Sequence, residues 1–212
     1  MSLKAPIAAI IFDFGGVLVR TRSQHRRIEW EQRLGLARGE ADALVFGGES
    51  GTAAQHGQIT DEAHWTWLGE RLRLGPEDLA AFREAFFAED ILDAPLIAYI
   101  DRLRAGGYHL GLLSNASDIA RKVFTETYAV LSHFDSVTIS CEEGVMKPDP
   151  RIYQVALERA GARPEEAVFV DDVAANIEGA RRVGMRGIHF RNAEQAITEL
   201  AALTGVAPEQ EL

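Results

Sequence analysis

Residues 7–18 read Ile7-Ala8-Ala9-Ile10-Ile11-Phe12-Asp13-Phe14-Gly15-Gly16-Val17-Leu18, an apolar run that stops at a carboxylate and a glycine pair. A short run that is apolar on both faces is the pattern of a central strand in a parallel sheet. Gly15 and Gly16 break it and predict a tight turn. Two further apolar runs end in the same manner: 109–113 at Ser114-Asn115, and 167–170 at Asp171-Asp172. In an open parallel α/β sheet, ligands collect beyond the carboxyl ends of the strands, where strand order reverses. These three ends therefore predict one site around a small anion.

Between residues 21 and 92 helical periods dominate, at 24–34, 40–46, 60–72 and 76–87, and no strand pattern interrupts them. Thr60 is expected to cap a helix whose first turn carries Asp61 and Glu62, and Pro76 to open the next. The segment reads as an all-helical insertion, 21–92, in a core formed by 1–20 and 93–212. From Pro95 onward, helices at 96–105, 118–128, 150–160, 174–183 and 193–203 alternate with short strands, two of them, at 137–140 and 187–190, in addition to those already named. Strands separated by helices predict βαβ units and a parallel sheet. The tail after Thr204 is expected to be loose.

The chain has 212 residues, 22 Lys and Arg against 32 Asp and Glu, and a net charge of −10. Such a balance excludes nucleic acid and anionic membranes as natural partners. A phosphorylated ligand would need local positive charge from a lysine, a cation or helix N-termini. The single cysteine, Cys141, rules out an internal disulfide and predicts a reducing, cytoplasmic setting. No run approaches the ~20 apolar residues of a membrane span. The run at 7–12 is too short for the apolar part of a signal peptide. No Gly-rich nucleotide loop follows the first strand.

Each candidate residue has two readings. Asp13 is placed to attack phosphorus as a carboxylate nucleophile, or simply opens a turn. The glycines beside it let backbone N–H groups approach an anion. Ser114 and Asn115 can hydrogen-bond phosphate oxygens, or cap the helix that follows. Lys147, held before Pro148, can neutralise a transferring phosphoryl group, or is a loop lysine. Asp171 and Asp172, with Asn176 four residues on, form a hard oxygen site suited to Mg²⁺, or cap a helix.

Taken together, Asp13-x-Gly-Gly-Val, Ser114-Asn115, Lys147-Pro148 and Val170-Asp171-Asp172-x₃-Asn176 resemble the four motifs of the haloacid dehalogenase superfamily of hydrolases. The stretch Gly57-Gln58-Ile59-Thr60…Trp65 resembles part of the helical cap of such enzymes. The resemblance implies a Rossmann-like core with strand order 5-4-1-2-3, a Mg²⁺ cofactor and an aspartyl-phosphate route on a small phosphorylated substrate. It implies Asp13 as nucleophile and metal ligand, with the Gly15 carbonyl, Asp172 and Asp171 as further metal ligands. It implies Ser114, Asn115, Gly16 and Lys147 as phosphate-binding residues, Lys147 being catalytic as well.

One position departs from that pattern. Phosphatases of the superfamily usually have a second Asp two residues after the nucleophile, as general acid and base, and here Gly15 stands there. Some sugar-1-phosphate phosphatases of the family also have Gly. The departure points to a sugar phosphate or another activated phosphate, with water or a cap residue such as His56 or His64 in place of the acid. Two other readings stay open: a non-catalytic phospho-ligand-binding member, and a metal-free 2-haloacid dehalogenase, which has no need of the acidic doublet. The basic run Arg20, Arg22, His25, Arg26 and Arg27 reads as a solvated helix face or as an anion funnel. Trp30, Trp65 and Trp67 are expected in the cap core. No pattern in the chain reports the oligomeric state.

Overall fold

The computed structural model describes residues 6–208; the outermost parts of the expected core segment, 1–5 and 209–212, lie outside the described residues. In chain order the strands are β1 (Ala9–Phe12), β2 (Val19–Thr21), β3 (Asp90–Leu92), β4 (His109–Ser114), β5 (Ser136–Ile139), β6 (Ala167–Asp171) and β7 (Arg186–His189). The helices are α1 (His25–Leu34), α2 (Glu40–Phe46), α3 (Gly48–Gln55), α4 (Asp61–Leu72), α5 (Pro76–Phe87), α6 (Ala94–Ala105), α7 (Ala120–Lys122), α8 (Ser140–Glu143), α9 (Pro150–Ala160), α10 (Ala174–Arg182) and α11 (Ala193–Thr204).

Five strands form one parallel sheet in the order β5-β4-β1-β6-β7. Counting core strands alone, this is the expected order read from the opposite edge. β1 lies at the centre, paired with β4 on one side and β6 on the other. Its period-2 alternation sends Ile10 and Phe12 into one apolar layer and Ala9 and Ile11 into the other. All four are buried, so the strand can read as a continuous apolar run.

β2 and β3 pair antiparallel as a separate two-stranded ribbon, which no strand pattern in 21–92 announced. Each strand is three residues long, and the partners lie about seventy residues apart. α3 was also unannounced, because Gly48 and Gly51 oppose helix formation. The expected helix at 118–128 is instead α7 followed by a π-helical turn, Val123–Thr127. Thr60 caps α4 by accepting from the Ala63 N–H at 3.1 Å, and Pro76 opens α5.

α1, α2, α4 and α5 enclose a cluster of their own built on Trp30, Trp65, Leu68, Phe82 and Phe86. Trp67 is exposed and stacks on His64 instead of joining it. The tail is anchored further than expected, since the Tyr99 hydroxyl donates to the Val206 carbonyl at 2.8 Å. Among the described residues no helix is long and apolar enough to cross a membrane.

Candidate active site

The three polar strand ends meet. Asp13 follows the central strand, and Ser114 and Asp171 end the two strands beside it. One carboxylate oxygen from each of Asp13, Asp171 and Asp172 lies within 4.8 Å of the others. Lys147 Nζ lies 2.7 Å from Asp13 Oδ1 and 2.7 Å from Asp171 Oδ2. It also donates to the Leu113 carbonyl at 3.2 Å, so its three N–H donors are all engaged.

Hydrogen bonding divides the three carboxylates. Asp171 is fully buried, and both its oxygens are occupied. Oδ1 accepts from the Val173 amide at 2.7 Å, and the Asn176 amide bridges both oxygens at 3.1 Å. Asn176 is itself held by Tyr153, whose hydroxyl donates to its carbonyl at 2.7 Å. Asp13 Oδ1 accepts from the Phe14 amide and from Lys147, whereas its Oδ2 has no partner among the described residues. Asp172 is exposed, and its carboxylate forms no ion pair among the described residues.

Three carboxylates against one ammonium leave two negative charges, and the protonation equilibria register them. Burial pushes the Asp13 carboxyl up to about 7; Lys147 opposes this and Asp171 adds to it. Partial burial, then Asp171, raises Asp172. Burial alone would lower the Lys147 ammonium, but Asp13 and Asp171 outweigh it and hold it above its ordinary value. This set fits a hard divalent cation: the ligands are oxygens, two carboxylates keep open positions, and the uncompensated charge matches. Two oxygens on one Mg²⁺ lie at most ~4.2 Å apart, within a small side-chain rotation of the spacing present.

The glycines serve the site differently from expectation. The Gly16 N–H donates to the Val19 carbonyl at 2.9 Å, so it is not free for phosphate. Gly16 instead makes room: at φ +78, a Cβ there would sit 2.2 Å from Asp172 Oδ2. Gly16→Ala is expected to displace Asp172 and to lower Mg²⁺ affinity by ~10-fold or more, checked by equilibrium dialysis. Gly15 is exposed, and its N–H has no partner among the described residues. Ser114 is buried, and its hydroxyl likewise forms no hydrogen bond among them. Asn115 is turned to Lys147: its Nδ2 donates to the Lys147 carbonyl at 3.0 Å, and its Oδ1 accepts from the Lys147 N–H at 2.8 Å.

The helical segment contacts the stretches of chain that follow β4 and β5. The Asp61 N–H donates to Asp118 Oδ1 at 2.8 Å, and the Ser117 hydroxyl donates to Asp61 Oδ1 at 3.0 Å. The Ser140 hydroxyl donates to the Gln55 carbonyl at 2.6 Å, and His56 Nδ1 lies 3.3 Å from the Gly144 carbonyl. These contacts were invisible in the sequence, where nothing marks Asp61 or Asp118 as more than helix-start acids. His64 is buried inside the helical segment with both ring nitrogens engaged, by Ser50 and by the Val45 carbonyl. The basic run is paired with acids: Arg20 with Asp93, Arg22 and Arg26 with Glu89, and Arg27 with Asp42 and Asp90. It presents no open funnel of arginines.

A parallel sheet whose central strand delivers a carboxylate to an acidic pair and a buried lysine defines a class of hydrolases. The haloacid dehalogenase-like hydrolase profile matches residues 7–184, and the chain belongs to that family. It is 33% identical over 210 residues to acyl-CoA dehydrogenase family member 10 of Mus musculus, covering 93% of this chain and 19% of that protein. It spans less than half the length of the first curated relatives it matches. It is 27% identical to the sesquiterpene phosphatase astK of Aspergillus oryzae, covering 93% of this chain and 96% of that one. A magnesium complex of a haloacid dehalogenase family enzyme from Bacteroides thetaiotaomicron superposes with a TM-score of 0.71 at 25% identity, covering 88% of this chain and 94% of that one.

Proposed function

We propose that this hydrolase is a Mg²⁺-dependent phosphomonoesterase acting on a small phosphorylated metabolite. The observation that carries the reading is Asp13 Oδ2, a carboxylate oxygen without a hydrogen bond, beside an acidic cluster with two uncompensated charges. Asp13 Oδ2 attacks phosphorus, the bond from phosphorus to the leaving oxygen breaks, and an aspartyl-phosphate forms. Water then attacks that phosphorus, releasing phosphate and the free carboxylate. The Ser114 hydroxyl and the Gly15 amide supply donors to the phosphoryl oxygens. Lys147 favours the ionised form of Asp13 against burial and offsets charge that builds in the transition state. Asp172, Asp13 and the Gly15 carbonyl would hold the metal, while Asp171, saturated by hydrogen bonds, fixes Lys147. Bound Mg²⁺ supplies charge neutralisation and Lewis acidity. The phosphatase relative of similar length and the magnesium-bound neighbour support the class.

Residues 21–92 act in this reading as a cap over the core, 1–20 and 93–212. Supporting it are the separate aromatic cluster and the ribbon β2–β3 that joins the two parts. Closure of such a segment excludes water from the site.

Gly15 shapes substrate choice. Without a carboxylic acid there, poor leaving groups go unprotonated, which favours anomeric sugar phosphates and other activated phosphates. A Cβ at Gly15 meets nothing within 4 Å, so an acid can be installed. Gly15→Asp is expected to raise turnover of simple alkyl phosphates by up to ~10²-fold and to change p-nitrophenyl phosphate little. If neither turnover nor leaving-group dependence moves, this account of substrate choice is wrong.

The class itself is tested by turnover of p-nitrophenyl phosphate and acetyl phosphate with Mg²⁺ and with a chelator. Metal-dependent phosphate release is the expected result. Halide release from a 2-haloacid that survives the chelator would overturn the reading in favour of dehalogenation, and absence of any turnover would favour a binding role.

A further inference from the structure

The family resemblance sends Asn115 to the substrate; its contacts send it elsewhere. Lys147 lies in the loop between α8 and α9, where neither strand nor helix fixes its backbone. The Asn115 carboxamide takes that place. It accepts from the Lys147 N–H and donates to the Lys147 carbonyl, the two-bond pairing that a neighbouring strand would otherwise provide. The Lys147 side chain is fastened to the same strand end, through Nζ and the Leu113 carbonyl at 3.2 Å. The tip of β4 thus holds both the main chain and the ammonium of the lysine that joins Asp13 to Asp171.

We propose that Asn115 is a positioning residue that acts through Lys147, fixing the ammonium between Asp13 and Asp171 instead of serving chiefly as a ligand for phosphate. The inference rests on the phosphatase reading for its catalytic consequence but not for its structural one. A carboxamide has two N–H hydrogens, and one remains after the bond to Lys147. The competing role is therefore real chemistry and is decided by measurement.

The chain makes the measurement simple, because it has only three lysines: Lys4, Lys122 and Lys147. Lys147 has a side chain 1% exposed, against 69% for Lys122. Reductive methylation with ¹³C-formaldehyde, followed site by site with peptide mass spectrometry and NMR, reports Lys147 independently of turnover. The full chain is compared with Asn115→Ala, Asn115→Asp and Ser114→Ala. In parallel, kcat, KM and inhibition by inorganic phosphate are measured with p-nitrophenyl phosphate.

Loss of a residue that orients a metal ligand typically costs ~10–100-fold in metal affinity or activity. On that scale, Asn115→Ala is expected to speed Lys147 methylation by ~10-fold or more and to lower kcat by ~10-fold or more. Lys122 methylation and phosphate inhibition should stay within about twofold. Ser114→Ala is expected to do the reverse, weakening phosphate inhibition and leaving Lys147 protected. Asn115→Asp retains the acceptor and loses the donor, so its Lys147 methylation should fall between the wild type and Asn115→Ala; it carries the test if the alanine variant does not fold. The proposal is overturned if Lys147 stays as protected as in the wild type, or if phosphate inhibition weakens as far as kcat falls. A wild type without turnover would sink the phosphatase reading while the methylation rates still judge the clamp.

Discussion

Asp13→Asn is expected to lower phosphate-ester turnover by ~10³-fold or more and to make the metal-free protein more stable than the wild type above pH 7. The first effect follows from removing the attacking oxygen, since loss of a covalent nucleophile leaves only binding and electrostatic stabilisation behind. The second follows from the charge in the site. Lys147 is shared by two buried carboxylates, and the amide variant leaves it with Asp171 alone, a balanced pair. The sign is set by Asp13, whose ordinary value of 3.8 rises to about 7 in the fold. Between those values the folded chain binds more protons than the unfolded one, so stability declines as pH rises through that window. Asn115 and Phe14 keep their partners in the variant, because neither contact needs the Asp13 charge. Initial rates with Mg²⁺, and thermal melts in chelator at pH 5 and pH 8, check both halves. Turnover equal to the wild type would remove the enzymatic reading.

Lys147→Met is expected to cost about 3–5 kcal/mol at pH 8, the range for breaking a buried ion pair from one side. It leaves Asp13 and Asp171 facing each other without the cation that joins them. The loss should shrink at pH 5, where Asp13 is protonated in the fold. The wild-type ammonium is held above its ordinary 10.5, so its stabilising contribution is fully present through the neutral range and fades only in strong alkali. Turnover is expected to fall by ~10²-fold or more, as for removal of a preorganised charge at a transition state. Urea unfolding at the two pH values separates this from a simple packing change, which would cost the same at both.

Much of this architecture is written locally. The run at 7–12 is apolar on both faces because β1 is covered on both faces, and Asp13 marks where the cover ends. Thr60 and Pro76 announce their helices through chemistry that acts within one turn. What the chain conceals is non-local. Val19–Thr21 is too short to show a strand period, and its partner, Asp90–Leu92, lies across the whole helical segment. Asn115 looks like a phosphate donor or a helix cap until the loop holding Lys147 is folded against it. Gly16 looks like an amide donor until Val19 takes that amide and Asp172 fills the space beside the missing Cβ. Asp171 and Asp172 are indistinguishable as a doublet. Burial separates them, giving one to Lys147 and Asn176 and leaving the other open.

The central claim is that Asp13 and Asp172, distant in the chain, share one divalent cation whose charge the cluster lacks. Equilibrium dialysis of Mg²⁺ against the wild type and against Asp172→Asn tests it most directly. The account predicts one bound ion per chain in the wild type and affinity at least ~10-fold weaker in the variant. Equal stoichiometry and affinity in the two proteins, or no bound ion in the wild type, would contradict it.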